Sequence, residues 1–152
     1  MSKRKITNPL NVKFEPFDNY GAPVSGMSWH KISYNKEKGQ GSYILKMEPG
    51  AKSLPHKHAN YEEFLILDGE LIDPDNQIIK KGDFVTFEPG STHSSYTKIG
   101  CLLLVFQGAR NELLKKQIML EKFERIKLGH FPTPIEHLKN VSEYLDIIYI
   151  FI

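Results

Sequence analysis

The sequence predicts an all-β domain, a sandwich or a barrel, and three observations predict it. Between Gly41 and Gly108 strand-like runs recur every eight to twelve residues, a rhythm unlike that of an alternating α/β chain. Glycines 50, 69, 82, 90 and 100 fall at the boundaries of those runs, where a positive φ or a close backbone approach is needed. Residues 1–40 are rich in turn formers (Asn8-Pro9, Asp18-Asn19, Gly21-Ala22-Pro23, Gly26), which suits short strands separated by loops.

Taken in order, residues 12–17 with Val12 and Phe14, and 28–34 with Trp29, Ile32 and Tyr34, read as strands, and 35–39 as an exposed hairpin loop. Further strands are expected at about 42–48, 54–58, 62–72, 77–80, 83–87, 92–97 and 100–107. Pro74-Asp75-Asn76 makes a turn, because proline presets one dihedral and Asp and Asn bond their own backbone. After Gly108 the composition changes. Residues 111–127 carry strong helix formers between an N-cap at Asn111 and a C-cap at Gly129, although the apolar positions spread around the helical wheel. Thr133-Pro134-Ile135-Glu136 is a capping box that opens a second helix, with Ile135, Leu138, Val141 and Leu145 on one stripe. The last six residues, 147–152, are too apolar to lie free in water and are expected to pack as a strand or against a partner subunit. The expected division is 1–108 for the β domain, with its core at 40–108, and 109–152 for a partly helical extension.

At 152 residues and 40% hydrophobic content the chain supports one core without disulfides. Its 20 basic and 18 acidic residues are interspersed, which argues against nucleic acid or an anionic membrane as partner. Lys3-Arg4-Lys5 reads as a solvated tail. The one cysteine, Cys101, lies in an apolar run and reads as a small buried hydrophobe. No signal-peptide core and no run of 18 apolar residues occur, so the expected location is the cytoplasm.

The chemistry concentrates in residues 50–69. Residues two apart in a strand share a face, so His56 and His58 point the same way, and Glu62 follows after a bend short enough to bring a carboxylate to the same point. A further histidine, His93, opens a strand just after the Pro89-Gly90 turn. Three imidazoles and a carboxylate leave one or two positions open on an ion, a shell that suits Fe(II), Mn(II), Ni(II), Cu(II) or Zn(II) without choosing among them. The absence of thiolates argues against a closed structural zinc site. His30, His130 and His137 read as ordinary surface or core-edge residues.

These residues resemble the cupin superfamily. Its first motif is matched without a gap at Gly50, His56, His58, Glu62 and Gly69. The second is matched at Gly82, Gly90 and His93, with Glu88 in place of a proline and Thr97 in place of an asparagine. The pair Glu62-Glu63, residues 67–70 with Asp73, and Gly100-Cys101 look most like the branch named for the anti-sigma factor ChrR. The resemblance covers about residues 40–108. It implies a small antiparallel β-barrel (an RmlC-like jelly roll) with His56, His58, Glu62 and His93 as ligands of one divalent transition metal, Glu63 being the fallback for Glu62. Tyr43, Ser95 and Gln107 are the candidates for substrate contact, and Tyr61 and Tyr96 are further candidates for the mouth.

The resemblance implies first a metal-dependent dioxygenase of small dicarbonyl, enolic or phenolic substrates, with Glu62 able to accept a proton. The alternatives are a metal-dependent sensor or binding module and a sugar or acid isomerase. ChrR-type anti-sigma factors carry an N-terminal zinc domain, and the absence of Cys or a His cluster before the barrel argues against that role. A homodimer is expected, because the apolar C-terminus and the sheet edges need cover.

Overall fold

The computed structural model describes residues 3–114, which belong to one compact unit, Met1–Lys116. All regular elements among the described residues are strands: β1 (Glu15–Pro16), β2 (Met27–Lys31), β3 (Gly41–Met47), β4 (His56–Lys57), β5 (Glu62–Ile72), β6 (Ile78–Lys80), β7 (Phe84–Phe87), β8 (Thr92–His93), β9 (Cys101–Gln107) and β10 (Glu112–Leu113). No helix among them is long and apolar enough to cross a membrane. The all-β expectation holds among the described residues, and the strands expected at 42–48, 62–72, 77–80, 83–87 and 100–107 recur close to those bounds, while those at 54–58 and 92–97 shrink to two residues each.

The strands form two antiparallel sheets. A seven-stranded sheet runs β1-β2-β3-β9-β5-β6, with β7 also paired to β5, and a three-stranded sheet runs β10-β4-β8. Long β5 accommodates two neighbours on one side, because its first half pairs with β7 and its last three residues with β6. On β9 the side chains of Cys101, Leu103, Val105 and Gln107 are buried, the period-2 pattern of a sheet with one face on the core.

The expected closed barrel is corrected here: backbone pairing does not close the sheets into one ring. The run expected at 92–97 is regular only at Thr92–His93, and its link to β5 is reduced to an isolated bridge between Ile72 and Tyr96. The 92–97 run is interrupted where it faces the 53–57 segment because backbone donors there go elsewhere. Pro55 has no N–H, and the Ser95 N–H donates to the Ser53 hydroxyl at 2.8 Å instead of to a neighbouring strand. A second correction concerns Asn111, read above as a helix cap. Glu112 and Leu113 are strand, paired with Lys57 and His56. The rest of that predicted helix, the second helix and the apolar C-terminus lie outside the described residues, as do His130 and His137.

Gly69, the last residue of the first motif, shows why the motif needs glycine. Its φ is +75°, and an added Cβ would stand 2.0 Å from the Gly100 carbonyl oxygen. The β5/β9 ladder shifts register by one residue just before it, between Ile66 and Asp68, so this close approach is part of a bulge.

Candidate metal centre

His56 and His58 flank exposed Lys57 and are both buried, as strand parity requires. The Pro89-Gly90 turn returns the chain so that β8 pairs with β4 and His93 sits directly opposite His56. The pairing continues past the regular ladder, with His58 N–H donating to Ser91 O at 2.9 Å and Gly90 N–H to His58 O at 2.8 Å. Glu62 comes from the other sheet, opposite Phe87 on β7 and Gln107 on β9. One ligand-capable atom from each of His56, His58, Glu62 and His93 lies within 4.8 Å of the others. Three imidazoles from the small sheet thus meet one carboxylate from the large one.

The hydrogen bonds decide which nitrogen each ring turns inward. His56 Nδ1 lies 2.7 Å from the Leu54 carbonyl, which can only accept, so Nδ1 carries the proton. The Ser91 hydroxyl gives its one proton to Glu88 O at 2.6 Å and therefore accepts from His58 Nδ1 at 2.9 Å. In the same way the Ser95 hydroxyl donates to Asp73 Oδ1 at 2.5 Å and accepts from His93 Nδ1 at 3.2 Å. With the proton on Nδ1, the neutral form of each ring presents an Nε2 lone pair. His58 Nε2 is buried without a partner, and the Nε2 atoms of His56 and His93 face each other at 3.1 Å. Two lone pairs in that position repel unless a cation lies between them. Nitrogens each about 2.1 Å from one ion lie roughly 3.0–3.4 Å apart at octahedral or tetrahedral angles, so the spacing fits a shared ion.

Electrostatics agree with the tautomers. Burial, aided by the neighbouring rings, lowers the pKa of His58 to about 4, and burial chiefly lowers that of His56 to about 4, so both are neutral at pH 7. Burial raises the Glu62 pKa, with a hydrogen bond from Asn111 opposing it. Burial also raises Asp73, but the bonds to His93 and Ser95 outweigh it and leave this carboxyl below its usual range. Phe87 stacks on His58 with centroids 4.8 Å apart and lies 4.1 Å from the His93 ring, which restrains both rotamers.

Beside the cluster a cavity of about 50 Å³ is lined by His56, Glu62, His93, Ser53, Ser95 and Tyr20 at its polar side and by Phe17, Met27, Tyr43, Leu45, Met47, Leu54, Phe64, Leu71, Leu103 and Val105. Among the described residues no lysine or arginine lines it.

Of the residues singled out for substrate contact, Tyr43 and Ser95 line this cavity. Gln107 is buried on the same face of β9 as Val105, with neither amide atom hydrogen-bonded, but it does not line the cavity. Tyr61 is 51% exposed, and Tyr96 is half-buried away from the cavity. Glu63 lies on the opposite face of β5 from Glu62 and accepts from Thr86 Oγ1 at 3.2 Å, outside the cluster. His30 bonds Lys13 O and is likewise apart from it. Thr97, at the asparagine position of the second motif, is fully buried. Tyr20, Asp73 and Asn111 are the site neighbours that the sequence reading did not single out for this role. Asp73 lies near His93 only because Ile72 bridges to Tyr96 across the site, and nothing in the local sequence signals that.

The model of the ChrR cupin-like domain family matches residues 3–111, most of the chain. This chain is a member of the ChrR cupin-like family. Solved cupin structures share its fold. They include an RmlC-like cupin from Ralstonia eutropha JMP134 (13% identity, TM-score 0.59, covering 68% of each chain). An acetylacetone dioxygenase from Acinetobacter johnsonii is 15% identical, with a TM-score of 0.57 over 76% of this chain and 85% of its own. A predicted oxalate decarboxylase from Thermotoga maritima is 22% identical, with a TM-score of 0.53 over 72% of this chain and all of its own, 100%. A sequence search of curated proteins gave no match.

Proposed function

We propose that this cupin binds one divalent transition metal ion through His56, His58, Glu62 and His93 and acts as a mononuclear dioxygenase on a small dicarbonyl, enolic or phenolic substrate. The observation that carries the metal assignment is the convergence of three Nε2 lone pairs on a buried carboxylate, with two of them 3.1 Å apart and the third without a partner. Buried acceptors left facing one another are costly, and a cation removes the cost. When bound, the ion would supply Lewis acidity and a place where substrate and oxygen meet.

The substrate class follows from charge and size. A divalent ion with one carboxylate and three neutral imidazoles carries one net positive charge inside an apolar cavity. An enolate or phenolate balances that charge; a dicarboxylate would leave an uncompensated buried negative charge with no lysine or arginine among the described residues lining the cavity to meet it. A volume of about 50 Å³, against roughly 10–15 Å³ for a site that holds one water, admits a molecule of few heavy atoms. The apolar walls seat its alkyl or aryl part and exclude water, the Asp73-Ser95 pair orients His93, and Glu62, once shifted off the ion, is the carboxylate able to accept a proton. The acetylacetone dioxygenase among the structural relatives makes a 1,3-dicarbonyl the first compound to try.

Elemental analysis of protein purified without a histidine tag should find one metal ion per chain, and His56→Ala should abolish it while the circular dichroism of the β fold persists. Fe(II)-loaded protein should consume oxygen with 2,4-pentanedione and not with oxalate. Tight binding of a panel of dicarbonyls and phenols without oxygen uptake would replace the enzyme reading with a binding module, and unchanged metal content in His56→Ala would remove the site.

A further inference from the structure

We infer that Asn111 is the positioning residue of the Glu62 carboxylate and that β10 is the element that delivers it. The inference rests on the reading of His56, His58, Glu62 and His93 as ligands of one ion. Its observations come from elsewhere in the fold.

A glutamate side chain has three rotatable bonds, so the start of β5 places the Glu62 backbone without deciding which oxygen faces the imidazoles. Asn111 decides it. Its side chain is 4% exposed, and Nδ2 donates to Glu62 Oε2 at 2.5 Å. Oε1 is then the oxygen turned to His58, 3.8 Å from Nε2. Gln107, the partner of Glu62 on β9, does not hold the carboxylate, because neither of its amide atoms is hydrogen-bonded among the described residues. Asn111 Oδ1 is itself buried without a partner. The reverse orientation of the amide would set an oxygen against a carboxylate, so the donor must face Glu62.

The delivery is equally specific. After β9 ends at Gln107 the chain leaves the large sheet, and Glu112 and Leu113 pair with Lys57 and His56 on the small one. The Leu114 N–H extends that tie to Pro55 O at 2.9 Å. Asn111 stands at the crossing: its backbone neighbours hold the strand of His56 while its side chain holds Glu62. One residue therefore ties the carboxylate half of the cluster to the imidazole half. A group that holds the free oxygen of a ligand carboxylate sets its orientation and affinity much as partners of ligand histidines do.

The test uses the full chain. Asn111→Leu keeps the branched side-chain shape, at a larger volume, and removes the donor. Zn(II) affinity is measured by competition with a chromogenic chelator, and the ligand field by the visible absorption of the Co(II) form. The expected result is an affinity loss of about 10-fold or more with a changed Co(II) spectrum and an unchanged near-UV circular dichroism. In a Glu62→Ala background the same substitution should change affinity by less than about twofold, because it acts through Glu62. An unchanged affinity and spectrum, or an equal loss in both backgrounds, overturns the inference. If the leucine variant fails to fold, side-chain amide NMR decides. The Asn111 resonances of the unsubstituted protein should move on addition of Zn(II) and on Glu62→Gln, and resonances that stay in place in both cases overturn it. A wild-type protein that takes up no Zn(II) removes the metal centre and this inference together. One that takes up Zn(II) and tolerates leucine removes this inference alone.

Discussion

At the scale of single residues the centre is a set of neutral bases held apart from water. Glu62 is fully enclosed, and its raised pKa means that the folded, metal-free protein binds a proton there more tightly than the unfolded chain does. The carboxylate therefore costs stability as pH rises above about 4.5 in the absence of metal. Glu62→Gln should raise the melting temperature of chelator-treated protein at pH 7 by several degrees, an effect of about 1–2 kcal/mol, while weakening metal affinity. His56 and His58 act with the opposite sign. Their folded pKa values of about 4 lie below the ordinary 6.5, so the unfolded chain takes up the extra protons and stability falls as pH drops from about 6.5 towards 4. Thermal unfolding of metal-free Glu62→Gln across that window exposes the histidine contribution; a flat profile would contradict the buried neutral state of His56 and His58. Ser91→Ala removes the acceptor that holds His58 Nδ1–H, and Zn(II) affinity by chelator competition should fall about 10-fold.

At the scale of elements, a short strand and a tight turn set the histidines. β4 and β8 have two regular residues each, and their register puts His56 across from His93. That much was legible from the alternation His56-Lys57-His58 and from Pro89-Gly90, because parity and turn length are local properties. The partners of the imidazoles were not. Leu54 O is two residues away along the chain, yet Ser91, Ser95 and Asp73 serve through their side-chain directions and through one bridge between β5 and Tyr96. β5 itself depends on Gly69. Gly69→Ala should be among the most damaging single changes in the domain, costing on the order of 3 kcal/mol or more by urea denaturation, because the methyl meets the Gly100 carbonyl of a paired strand rather than a flexible side chain.

At the scale of the whole molecule, the two sheets share one buried interior, and the outer face of the large sheet carries a further apolar row. Phe84, Leu65, Leu104 and Ile44 are successive cross-strand partners over β7, β5, β9 and β3; Ile44 is fully buried and Leu65 and Leu104 are half-buried, while Phe84 is 55% exposed and Phe106 on the same face 41% exposed. A patch of this kind favours association. The full chain should sediment as a homodimer at micromolar concentration, and Phe84→Lys should shift it towards the monomer; a monomeric wild type would remove that expectation. The same scale explains the departure from a closed barrel. Regular strand signals in a sequence do not say whether the last ladder closes, and here the link from the 92–97 run to β5 is a single bridge between Ile72 and Tyr96.

The sequence by itself determined the all-β class of the described residues, the approximate positions of most strands from residue 41 to 107 and the set of residues that can hold an ion, because period-2 alternation, glycine at a positive φ and the spacing of imidazoles act over a few residues. Only the tertiary structure decided that a carboxylate from one sheet meets histidines from the other, that Asp73 reaches His93, and that Asn111 enters the site from a stretch that reads locally as the start of a helix. Helix propensity over residues 111–113 is worth tenths of a kcal/mol per residue, and pairing with β4 plus a buried bond to a carboxylate outweighs it.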